Sequence, residues 1–371
     1  MKRKVLFCAT VDYHIKAFHL PYLEWFQDQG WEVHVVANGD INIKHCDKKF
    51  NIPISRSPLG KSNIKAYKEL VKIVDENNYS IIHCHTPMGG VLARLAARRS
   101  RKTIGTKVFY TAHGFHFFKG APLINWLMYF PIELIFSKYT DVLITINNED
   151  YLRAKSYFKS KKVMYVPGVG IDTGKFKNVE IEKENVLKKL GVQNKKLLLL
   201  SVGELNANKN HEVVLKALKL LNDSEIHYVI CGEGRLKDYL VALIKELGLQ
   251  EQVHLLGFRK DIPDICLISD IFIFPSKREG LGLAALEAMA AGLPIVTSNV
   301  HGIVDYSING ITGYSTNPKN VEGFANAIKL LATDSKLRNE MGHNNKERVE
   351  KYSLENVLNE MKTLYKDVIN K

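Results

Sequence analysis

Two glutamates in a stretch that otherwise lacks charged side chains are the residues best placed to do chemistry. Glu279 begins the segment "EGLGLAALEAMAAGLP", Glu287 follows eight residues later, and Asp305 is the next formally charged residue. Burying an unpaired carboxylate among alanines and leucines costs several kcal/mol or more, so we expect Glu287 to bind a ligand. The alternative is a helix carboxylate that a neighbouring backbone group or arginine satisfies.

The residues around Glu287 predict a helix packed closely on a sheet, because most of them are small and apolar. Gly292 and Pro294 end this helix before the strand-like run "IVTS". If Glu279 lies at or just before the helix start, eight helical steps separate the two carboxylates by roughly 12 Å. The paired carboxylates of a glycosidase lie only about 5 to 9.5 Å apart. The wider spacing suits two contacts with one extended ligand.

The composition is that of a soluble globular protein, and the length favours two domains. The chain has 371 residues, of which 46% are hydrophobic and 25% are charged. The apolar run in "MKRKVLFCATV" is too short for a signal peptide and has no cleavage site, which predicts a cytoplasmic protein. The five cysteines are scattered, three of them in strand-like runs, and are expected to be buried free thiols.

The net charge of +13 is concentrated in the first half of the chain. Residues 1–170 carry 25 Lys and Arg against 13 Asp and Glu, a balance of +12, whereas residues 171–371 carry 27 against 26. A basic half is expected to face something anionic. Because the sequence has no zinc-finger, RNP or basic-zipper pattern, nucleic acid is not favoured. An anionic membrane surface or a phosphate-bearing acceptor fits better.

Short β-branched runs alternate with helical patterns along the chain, which predicts two α/β domains with parallel sheets. The runs are "KVLFCATV", "EVHVVAN", "SIIHCHT", "KVFYTAHG", "DVLITIN" and "VMYVPG", then "LLLLSVG", "HYVICGEG", "VHLLGF", "DIFIFPS" and "PIVTS". We place an N-terminal Rossmann-like domain at residues 1–168 and a second at 169–352, with a linker within residues 167–185. Ligands bind beyond the carboxyl ends of such strands, so a cleft between the domains is expected to hold the site.

Several motifs together resemble the retaining glycosyltransferases of family 4. "EGLGLAALE" is similar to the E-x7-E motif of that family, and "TAHG", "VPGVGID", "SVGELNANKNHEVVLKAL", "CGEGR" and "LLGFRKDIPDI" occur in the family order. The resemblance covers nearly the whole chain and is strongest to bacterial enzymes that build capsule or exopolysaccharide units on a lipid carrier. It implies an α/β fold of the GT-B type, in which two Rossmann-like domains face each other across a cleft. It also implies a C-terminal helix, residues 353–371, that packs back on the first domain.

The resemblance assigns the second domain to a nucleotide-sugar donor. Glu287 is similar to the glutamate that accepts hydrogen bonds from the ribose hydroxyls, and Glu279 to the one beside the donor hexose. Lys209 is similar to the lysine that neutralises the donor diphosphate, a solvated surface lysine being the alternative. Backbone N–H groups at a helix start can bind sugar hydroxyls and phosphate oxygens. The other expected donor-binding residues are Gly203, Asn206, Gly232, Phe258, Gly280, Leu281, Gly282 and Leu283.

One departure from the family pattern affects the diphosphate. Relatives commonly have an arginine in a G-R-L triplet, where this chain has Glu204 in "GEL". Losing one of two cations would weaken stabilisation of the leaving group. Arg278 and Arg259 are equal candidates to replace that arginine as donor-binding residues.

The resemblance assigns the first domain to the acceptor. The loop "TVDYHIKAFHLP" stands where many relatives have a Gly-Gly pair, and its Asp12, His14 and His19 are expected to contact the acceptor. Helix capping is the alternative for Asp12. His113 in "TAHG" is similar to the histidine that contacts the donor hexose near its sixth carbon, a satisfied strand-end histidine being the alternative. His113, Glu279 and Lys209 are the predicted catalytic residues.

No metal or other cofactor is expected. "HCH" at residues 83–85 suggests a zinc site, but no second Cys/His cluster has the spacing to complete four ligands. In a strand, successive side chains point to opposite faces of the sheet, so the two histidines would point to one face and Cys84 to the other. The chain lacks a D-x-D triplet, so a metal-bound diphosphate is not expected.

The apolar segment "FHFFKGAPLINWLMYFPIELIFSKY", residues 115–139, has two interpretations. Its uncharged run is too short to span a bilayer and is interrupted by prolines. It is either a buried helix of the first domain or a membrane-surface helix beside basic residues. The second interpretation places the protein at the inner face of the cell membrane.

The sequence therefore predicts a retaining, metal-independent hexosyltransferase. It would move a hexose or N-acetylhexosamine from a UDP-sugar to a polyprenyl-diphosphate-linked sugar in the synthesis of a capsule, exopolysaccharide or other cell-surface glycan. Two alternatives stay open: a nucleotide-sugar 2-epimerase of the same fold, and a non-catalytic subunit that binds a nucleotide-sugar. The donor hexose, acceptor sugar, linkage and oligomeric state do not follow from the sequence.

Overall fold

The chain forms two compact units. The computed structural model describes residues 2–177, 179, 181–192 and 197–369. Unit 1 comprises Met1–Val169 and Val357–Lys371, and unit 2 comprises Gly170–Asn356. Positions 178 and 180 of the predicted linker, and 370–371 of the predicted C-terminal helix, lie outside the described residues.

Unit 1 is built on a parallel sheet flanked by helices. Its elements are β1 (Lys4–Val11), α1 (Asp12–Phe18), α2 (Leu20–Asp28), β2 (Glu32–Asn38), β3 (Lys48–Asn51), α3 (Ser62–Asn77), β4 (Ile81–His85), α4 (Pro87–Ala96), α5 (Arg98–Thr103), β5 (Lys107–Ala112), α6 (Leu123–Ser137), β6 (Val142–Thr145), α7 (Asn148–Tyr157) and β7 (Lys162–Tyr165). The strand order is β3-β2-β1-β4-β5-β6-β7. Cys8 of β1 pairs with Cys84 of β4, which sets the register at the centre of the sheet.

Unit 2 repeats this architecture with six strands. Its elements are α8 (Lys183–Lys189), β8 (Leu197–Val202), α9 (His211–Leu221), β9 (Ile226–Cys231), α10 (Lys237–Glu246), β10 (Val253–Gly257), α11 (Ile262–Ile268), β11 (Ile271–Phe274), α12 (Leu283–Ala290), β12 (Ile295–Ser298), β13 (Gly313–Thr316), α13 (Val321–Thr333), α14 (Ser335–Val349) and the start of α15 (Leu354–Ile369). Three short 3-10 helices span Thr173–Phe176, His301–Asp305 and Glu350–Tyr352. The strand order is β10-β9-β8-β11-β12-β13, and the predicted fold class of two Rossmann-like units is confirmed.

Helix α15 covers one face of the unit 1 sheet. Its buried side chains Val357, Met361, Leu364 and Tyr365 pack in one cluster with residues of β1, α2 and β2. The Tyr365 hydroxyl lies 2.5 Å from Nδ1 of His83 on β4. The last helix of the chain therefore completes the core of the first unit.

Four of the five cysteines match the prediction of buried free thiols. Cys8, Cys84, Cys231 and Cys266 are buried free thiols, and Cys46 is a free thiol that is only partly buried. Burial raises the pKa of the Cys84 thiol to about 12. These thiols therefore act as small apolar core residues.

The apolar segment at residues 115–139 is buried in part. Phe115, Phe117 and Phe118 are buried. Helix α6 buries Glu133 and Ser137 and packs Trp126, Tyr129, Phe130 and Leu134 against the core, while its other large apolar side chains, namely Leu123, Ile124, Leu127, Met128 and Ile135, are exposed. No helix among the described residues combines the length and apolar content needed to cross a membrane.

Replacing Leu364 with alanine should destabilise unit 1 by about 2–5 kcal/mol, because the shortened side chain leaves a cavity beneath α15. All three tryptophans of the chain lie in unit 1, so their fluorescence during urea unfolding reports on this unit. Lys366→Ala changes an exposed residue of the same helix and should alter the free energy of unfolding by less than about 0.5 kcal/mol. Equal losses in the two variants would contradict the packing of α15 on the sheet.

Candidate functional site

Each sheet has a point at which the strand order reverses. In unit 1 this point lies between β1 and β4, and in unit 2 between β8 and β11. Loops that leave neighbouring strands in opposite directions open a crevice at such a point, and ligands of parallel sheets bind there. Many of the predicted site residues follow these strands, whereas His113, Gly232, Phe258 and Arg259 follow the neighbouring strands β5, β9 and β10.

Lys209 and Glu279 form an ion pair at the reversal point of unit 2. Lys209 lies in the loop after β8, and its Nζ is 2.6 Å from Oε1 of Glu279 in the loop after β11. The same Nζ lies 4.8 Å from the centre of the Phe274 ring. Only 21% of the lysine side chain and 16% of the glutamate side chain are exposed. Lys209 is therefore a positioned cation rather than a freely solvated surface lysine.

Asparagine side chains shape the loops that carry this pair. Oδ1 of Asn206 accepts hydrogen bonds from the backbone N–H groups of Asn208 and Lys209. The side-chain amide of Asn208 donates to the carbonyl of Arg278 at 2.9 Å, which ties the two loops together. Asn206, expected to bind the donor, thus supports the backbone around Lys209, while Asn208 is a positioning residue that the sequence did not single out.

Two glycines allow backbone to approach closely at the same point. Gly282 has a φ of 98° just before α12, and a Cβ there would meet the Phe274 ring at 2.6 Å. Gly232, with a φ of 157°, would place a Cβ 1.9 Å from the carbonyl oxygen of Gly203. Both positions exclude other residues, because a side chain has neither the space nor the favoured backbone conformation.

The predicted helix start at Gly280–Leu283 is the N-terminus of α12. Leu283 is the first residue of this helix. The Leu281 side chain is only 4% exposed, so Leu281 can offer only its backbone to a ligand. The first N–H groups of a helix have no partner within the helix and carry partial positive charge. They can therefore bind an anion or a sugar hydroxyl.

Glu287 lies in the second turn of α12 with its carboxylate unpaired. It has no hydrogen bond or ion pair to the described residues, and the predicted alternative, a backbone group or arginine that satisfies it, is not found there. Burial raises the pKa of its carboxyl above the ordinary value, and the charge of Lys175 opposes the shift. Because α12 begins only at Leu283, the carboxylate separation expected from eight helical steps does not apply.

The remaining predicted donor residues differ in their surroundings. Arg259 forms two hydrogen bonds with Asp261, one of them 2.8 Å long from Nε. Arg278 is half-buried and its guanidinium has no acidic partner within the described residues. Phe258 follows β10 and is 69% exposed. Glu204, in place of the family arginine, is exposed.

Asp12, which the sequence assigns to the acceptor, has internal partners in unit 1. Its carboxylate is buried, accepts a hydrogen bond from the backbone N–H of Ile41 and forms an ion pair of 2.7 Å with Lys49. Lys49 in turn donates to the carbonyls of Gly39 and Ile41. Because the charge is satisfied internally, Asp12 anchors the chain after β2 to the start of α1. Val11 occupies the N-cap position, so Asp12 does not cap the helix either.

Four histidines converge at the reversal point of unit 1, namely His14 on α1, His19 between α1 and α2, His85 at the end of β4 and His113 after β5. One ring nitrogen from each lies within 4.8 Å of those from the others. Nε2 of His113 is 3.3 Å from Nε2 of His14 and 3.5 Å from Nδ1 of His85. Burial lowers the pKa of His14 to about 4 and lowers the pKa values of the other three. The four rings are therefore neutral at pH 7.

The cluster contains buried nitrogens that lack partners. Both ring nitrogens of His19 and Nε2 of His85 make no hydrogen bond within the described residues. Such groups cost about 1–3 kcal/mol each. The sequence argument found no second Cys/His cluster with the spacing to complete four ligands with "HCH"; the fold brings three distant histidines beside His85, which spacing along the chain does not show. His85 was missed for the same reason, and its position at a strand end was the signal that could have indicated it.

Two family models and several named proteins match this chain. The model of "Glycosyl transferases group 1" matches residues 182–348, and that of "Glycosyl transferase 4-like" matches residues 4–147. The chain is 42% identical over 369 residues to the putative glycosyltransferase EpsD of Bacillus subtilis (strain 168), with 98% of this chain and 97% of that protein covered.

A second relative and one solved structure extend the comparison. The UDP-Gal:alpha-D-GlcNAc-diphosphoundecaprenol alpha-1,3-galactosyltransferase of Escherichia coli is 31% identical over 319 residues, which cover 83% of this chain and 81% of that enzyme. The crystal structure of Anabaena Alr3699/HepE in complex with UDP shares the fold, with a TM-score of 0.81, 18% identity, and coverage of 99% of this chain and 100% of that one. Together with the two reversal-point sites, these matches identify the chain as a member of the family 4 glycosyltransferases of the GT-B fold.

Proposed function

We propose that this glycosyltransferase moves a hexose or N-acetylhexosamine from a UDP-sugar to a sugar carried on a polyprenyl diphosphate, with retention of anomeric configuration. Unit 2 binds the donor and unit 1 presents the acceptor. The reaction contributes to a capsule, exopolysaccharide or similar cell-surface glycan. The observation that carries the proposal is the unpaired carboxylate of Glu287 on α12, the helix that begins just after the loop of the Lys209–Glu279 ion pair.

Glu287 is suited to binding the nucleotide ribose. A carboxylate accepts hydrogen bonds from two adjacent hydroxyls, and these bonds are strong because the acceptor is charged. The ribose would supply the donors that the described part of the protein does not. Because Glu287 is only partly buried, its carboxylate is accessible to a ligand, and ribose hydroxyls would replace part of the hydration that the site has removed.

Lys209, Arg278 and the N-terminus of α12 are suited to binding the diphosphate. Charge develops on this group as the sugar leaves, and fixed cations and N–H groups stabilise it without reorganisation. Lys209 is held by Glu279. An arriving diphosphate would compete for the ammonium group and leave Glu279 free to contact the hexose. We therefore propose that no metal ion is required at the diphosphate.

Retention can be achieved by reaction on one face of the sugar. The bond from the anomeric carbon to the diphosphate oxygen breaks, and the bond to the acceptor oxygen forms on the same face. The departing diphosphate takes the proton of the acceptor hydroxyl, so atoms and charge balance without a second carboxylate. The E. coli relative, whose name specifies a diphosphoundecaprenol-linked acceptor, supports the choice of acceptor class.

Helix α6 supports placing the enzyme at the inner face of the cell membrane. Leu123, Ile124, Leu127 and Met128 are 80%, 60%, 73% and 47% exposed and occupy one side of the helix. The opposite side buries Glu133, whose carboxylate pairs with Arg94 at 2.9 Å and accepts a hydrogen bond from Tyr110. A helix that buries its charge and exposes its leucines is suited to an apolar environment.

Basic side chains lie beside the end of this helix. Arg98 packs over the ring of Tyr139, and Arg101 donates to the carbonyl of Lys138, the C-cap of α6. Lys102 lines a surface groove together with Arg98, Arg101, Lys138 and Tyr139. Each cation near an anionic surface adds about 1 kcal/mol of attraction. The exposed leucines and this basic cluster together would bind an anionic bilayer, where a polyprenyl-linked acceptor resides.

Glu287→Gln should weaken binding of both UDP and uridine by about 10- to 100-fold, because the carboxylate contacts the ribose. Lys209→Ala should weaken binding of UDP by a similar factor and leave uridine unaffected, because its target is the diphosphate. Isothermal calorimetry with the two ligands separates these effects. Glu322→Gln, at an exposed position of unit 2, is the matched control. Unchanged UDP affinity in Glu287→Gln would refute the assigned role.

The wild-type enzyme should transfer radiolabel from one member of a UDP-sugar panel into lipid-extractable product when bacterial membranes supply the acceptor. Glu279→Gln should lower this turnover by more than about 100-fold without weakening UDP binding, because the carboxylate acts on the hexose and competes with the diphosphate for Lys209. Glu287→Ala should transfer no label at limiting donor. Label found only as free sugar would favour the epimerase, and no release from any UDP-sugar would favour a non-catalytic subunit.

Leu123→Ser combined with Leu127→Ser should weaken binding to phosphatidylglycerol-containing vesicles by at least about 10-fold, because two exposed apolar side chains no longer insert. Vesicle co-sedimentation measures this, and UDP binding by unit 2 should not change. As a control, Leu220→Ser combined with Leu330→Ser removes two leucines that are 57% and 51% exposed, somewhat less than the α6 pair, from unit 2. If both double variants bind vesicles equally, α6 is not the membrane surface.

A further inference from the structure

We propose that His14, His19, His85 and His113 form a binding site for one divalent transition-metal ion, with Zn²⁺ as the best match. The site belongs to unit 1, whereas the cations proposed for the donor diphosphate belong to unit 2. It amends the expectation of a metal-free protein and does not depend on the identity of the donor or acceptor sugar.

The spacing of the ring nitrogens supports a four-coordinate site. Zinc binds histidine nitrogen at about 2.0–2.1 Å, so the nitrogens at the corners of a tetrahedron lie about 3.3 Å apart. The two measured separations from Nε2 of His113, 3.3 Å to His14 and 3.5 Å to His85, match this edge. All four ligand nitrogens lie within 4.8 Å of one another, so modest ring rotations would complete the geometry.

Two of the four histidines are buried and have ring nitrogens that nothing else satisfies. His19 is 2% exposed and His85 is 1% exposed. Neither ring nitrogen of His19, nor Nε2 of His85, has a hydrogen-bond partner in the described part of the chain. The rings of His19 and His85 stack with centroids 3.8 Å apart, and His14 and His113 contact each other at 4.7 Å. The four rings therefore pack directly against one another, and the unsatisfied nitrogens belong to this cluster.

The neighbouring histidine has a different environment. Nδ1 of His83 lies 2.5 Å from the Tyr365 hydroxyl, and its Nε2 lies 2.8 Å from the Thr111 hydroxyl. Its ring packs against that of His85 at 4.1 Å and so helps to hold the ligand in place. His83 is therefore a supporting residue, and the four unsatisfied or loosely paired imidazoles are the ligands.

The donor set indicates the class of metal. Imidazole nitrogen suits zinc, copper, nickel and iron, whereas magnesium and calcium require oxygen ligands. The cysteine and carboxylate nearest in sequence are engaged elsewhere, since Cys84 donates to the carbonyl of Phe109 and Asp12 is bound by Lys49. Four neutral imidazoles leave the charge of the ion uncompensated. The bound ion would therefore add a positive charge to the loops assigned to a phosphate-bearing acceptor.

The test uses the full chain without a histidine tag, stripped with a chelator and titrated with Co²⁺. We expect one equivalent to bind with the intense visible absorption of four-coordinate Co²⁺, and Zn²⁺ to displace it. His14→Ala and His19→Ala should each weaken this binding by more than about 10-fold. His14 is only partly buried, so its variant keeps the test decisive if His19→Ala fails to fold.

A matched control addresses binding at other histidines. His227 and His254 in unit 2 lie 3.1 Å apart and could hold a metal weakly. His227→Ala should leave the stoichiometry and the Co²⁺ spectrum unchanged. Added Zn²⁺ should raise the thermal midpoint of the wild type and of His227→Ala, but not that of His14→Ala. Failure of the wild type to give the four-coordinate spectrum would overturn the proposal, as would equal binding in His14→Ala or loss of binding in His227→Ala.

Discussion

The parallel strand order constrains everything else in this protein. In both units the chain starts at a central strand, builds outward to one edge and returns to build the other half, so the first and fourth strands become neighbours. Their following loops leave in opposite directions and cannot pack on each other. Each sheet therefore carries a crevice at the carboxyl ends of two central strands. The residues suited to binding or catalysis lie beside these crevices. They are Lys209 and Glu279 in unit 2 and the histidine cluster in unit 1.

Buried polar groups differ in whether the described residues satisfy them. Asp141, just before β6, is buried and fully satisfied, since it binds Arg101, Lys161 and the backbone N–H of Val108. The ring nitrogens of the buried His19 have no hydrogen-bond partner among the described residues, and the partly buried Glu287 has no ion pair there. An unsatisfied buried group destabilises the folded state and can be retained where a ligand later satisfies it. Such groups also occur away from the crevices, as with Oδ1 of Asn345, so an unpaired group marks a candidate binding residue only where it also lies at a crevice.

The sequence predicted most of the fold and one half of the site. Eleven of the thirteen strands in the described residues appeared as apolar β-branched runs. Strands β3, with the sequence KKFN, and β13, with GYST, were missed because each is a short, polar edge strand with no apolar run.

Glu287 stood out in the sequence because its charge contrasts with its neighbours along the chain. The histidine cluster could not be found in this way, because His14 and His113 are 99 residues apart and only the order of β1, β4 and β5 brings them together. The ion pair of Asp12 could not be found in this way either, because its partner Lys49 lies 37 residues away.

The structure also distinguishes Arg259 from Arg278. The sequence left these two arginines as equal replacements for the family arginine whose place Glu204 takes. Arg259 forms a two-fold hydrogen-bonded pair with Asp261, only two residues away, so its charge is compensated before any ligand arrives. Recruiting it would require that pair to break, which leaves Asp261 as a like charge near the diphosphate. Arg278 adjoins Glu279, and its carbonyl is held by Asn208 in the loop that carries Lys209. Arg278 is held at its backbone and has no acidic partner in the described chain. Binding the diphosphate would therefore cost it less free energy than it would cost Arg259. Arg278 is therefore the better candidate, and the loss of arginine at position 204 need not remove a charge from the site.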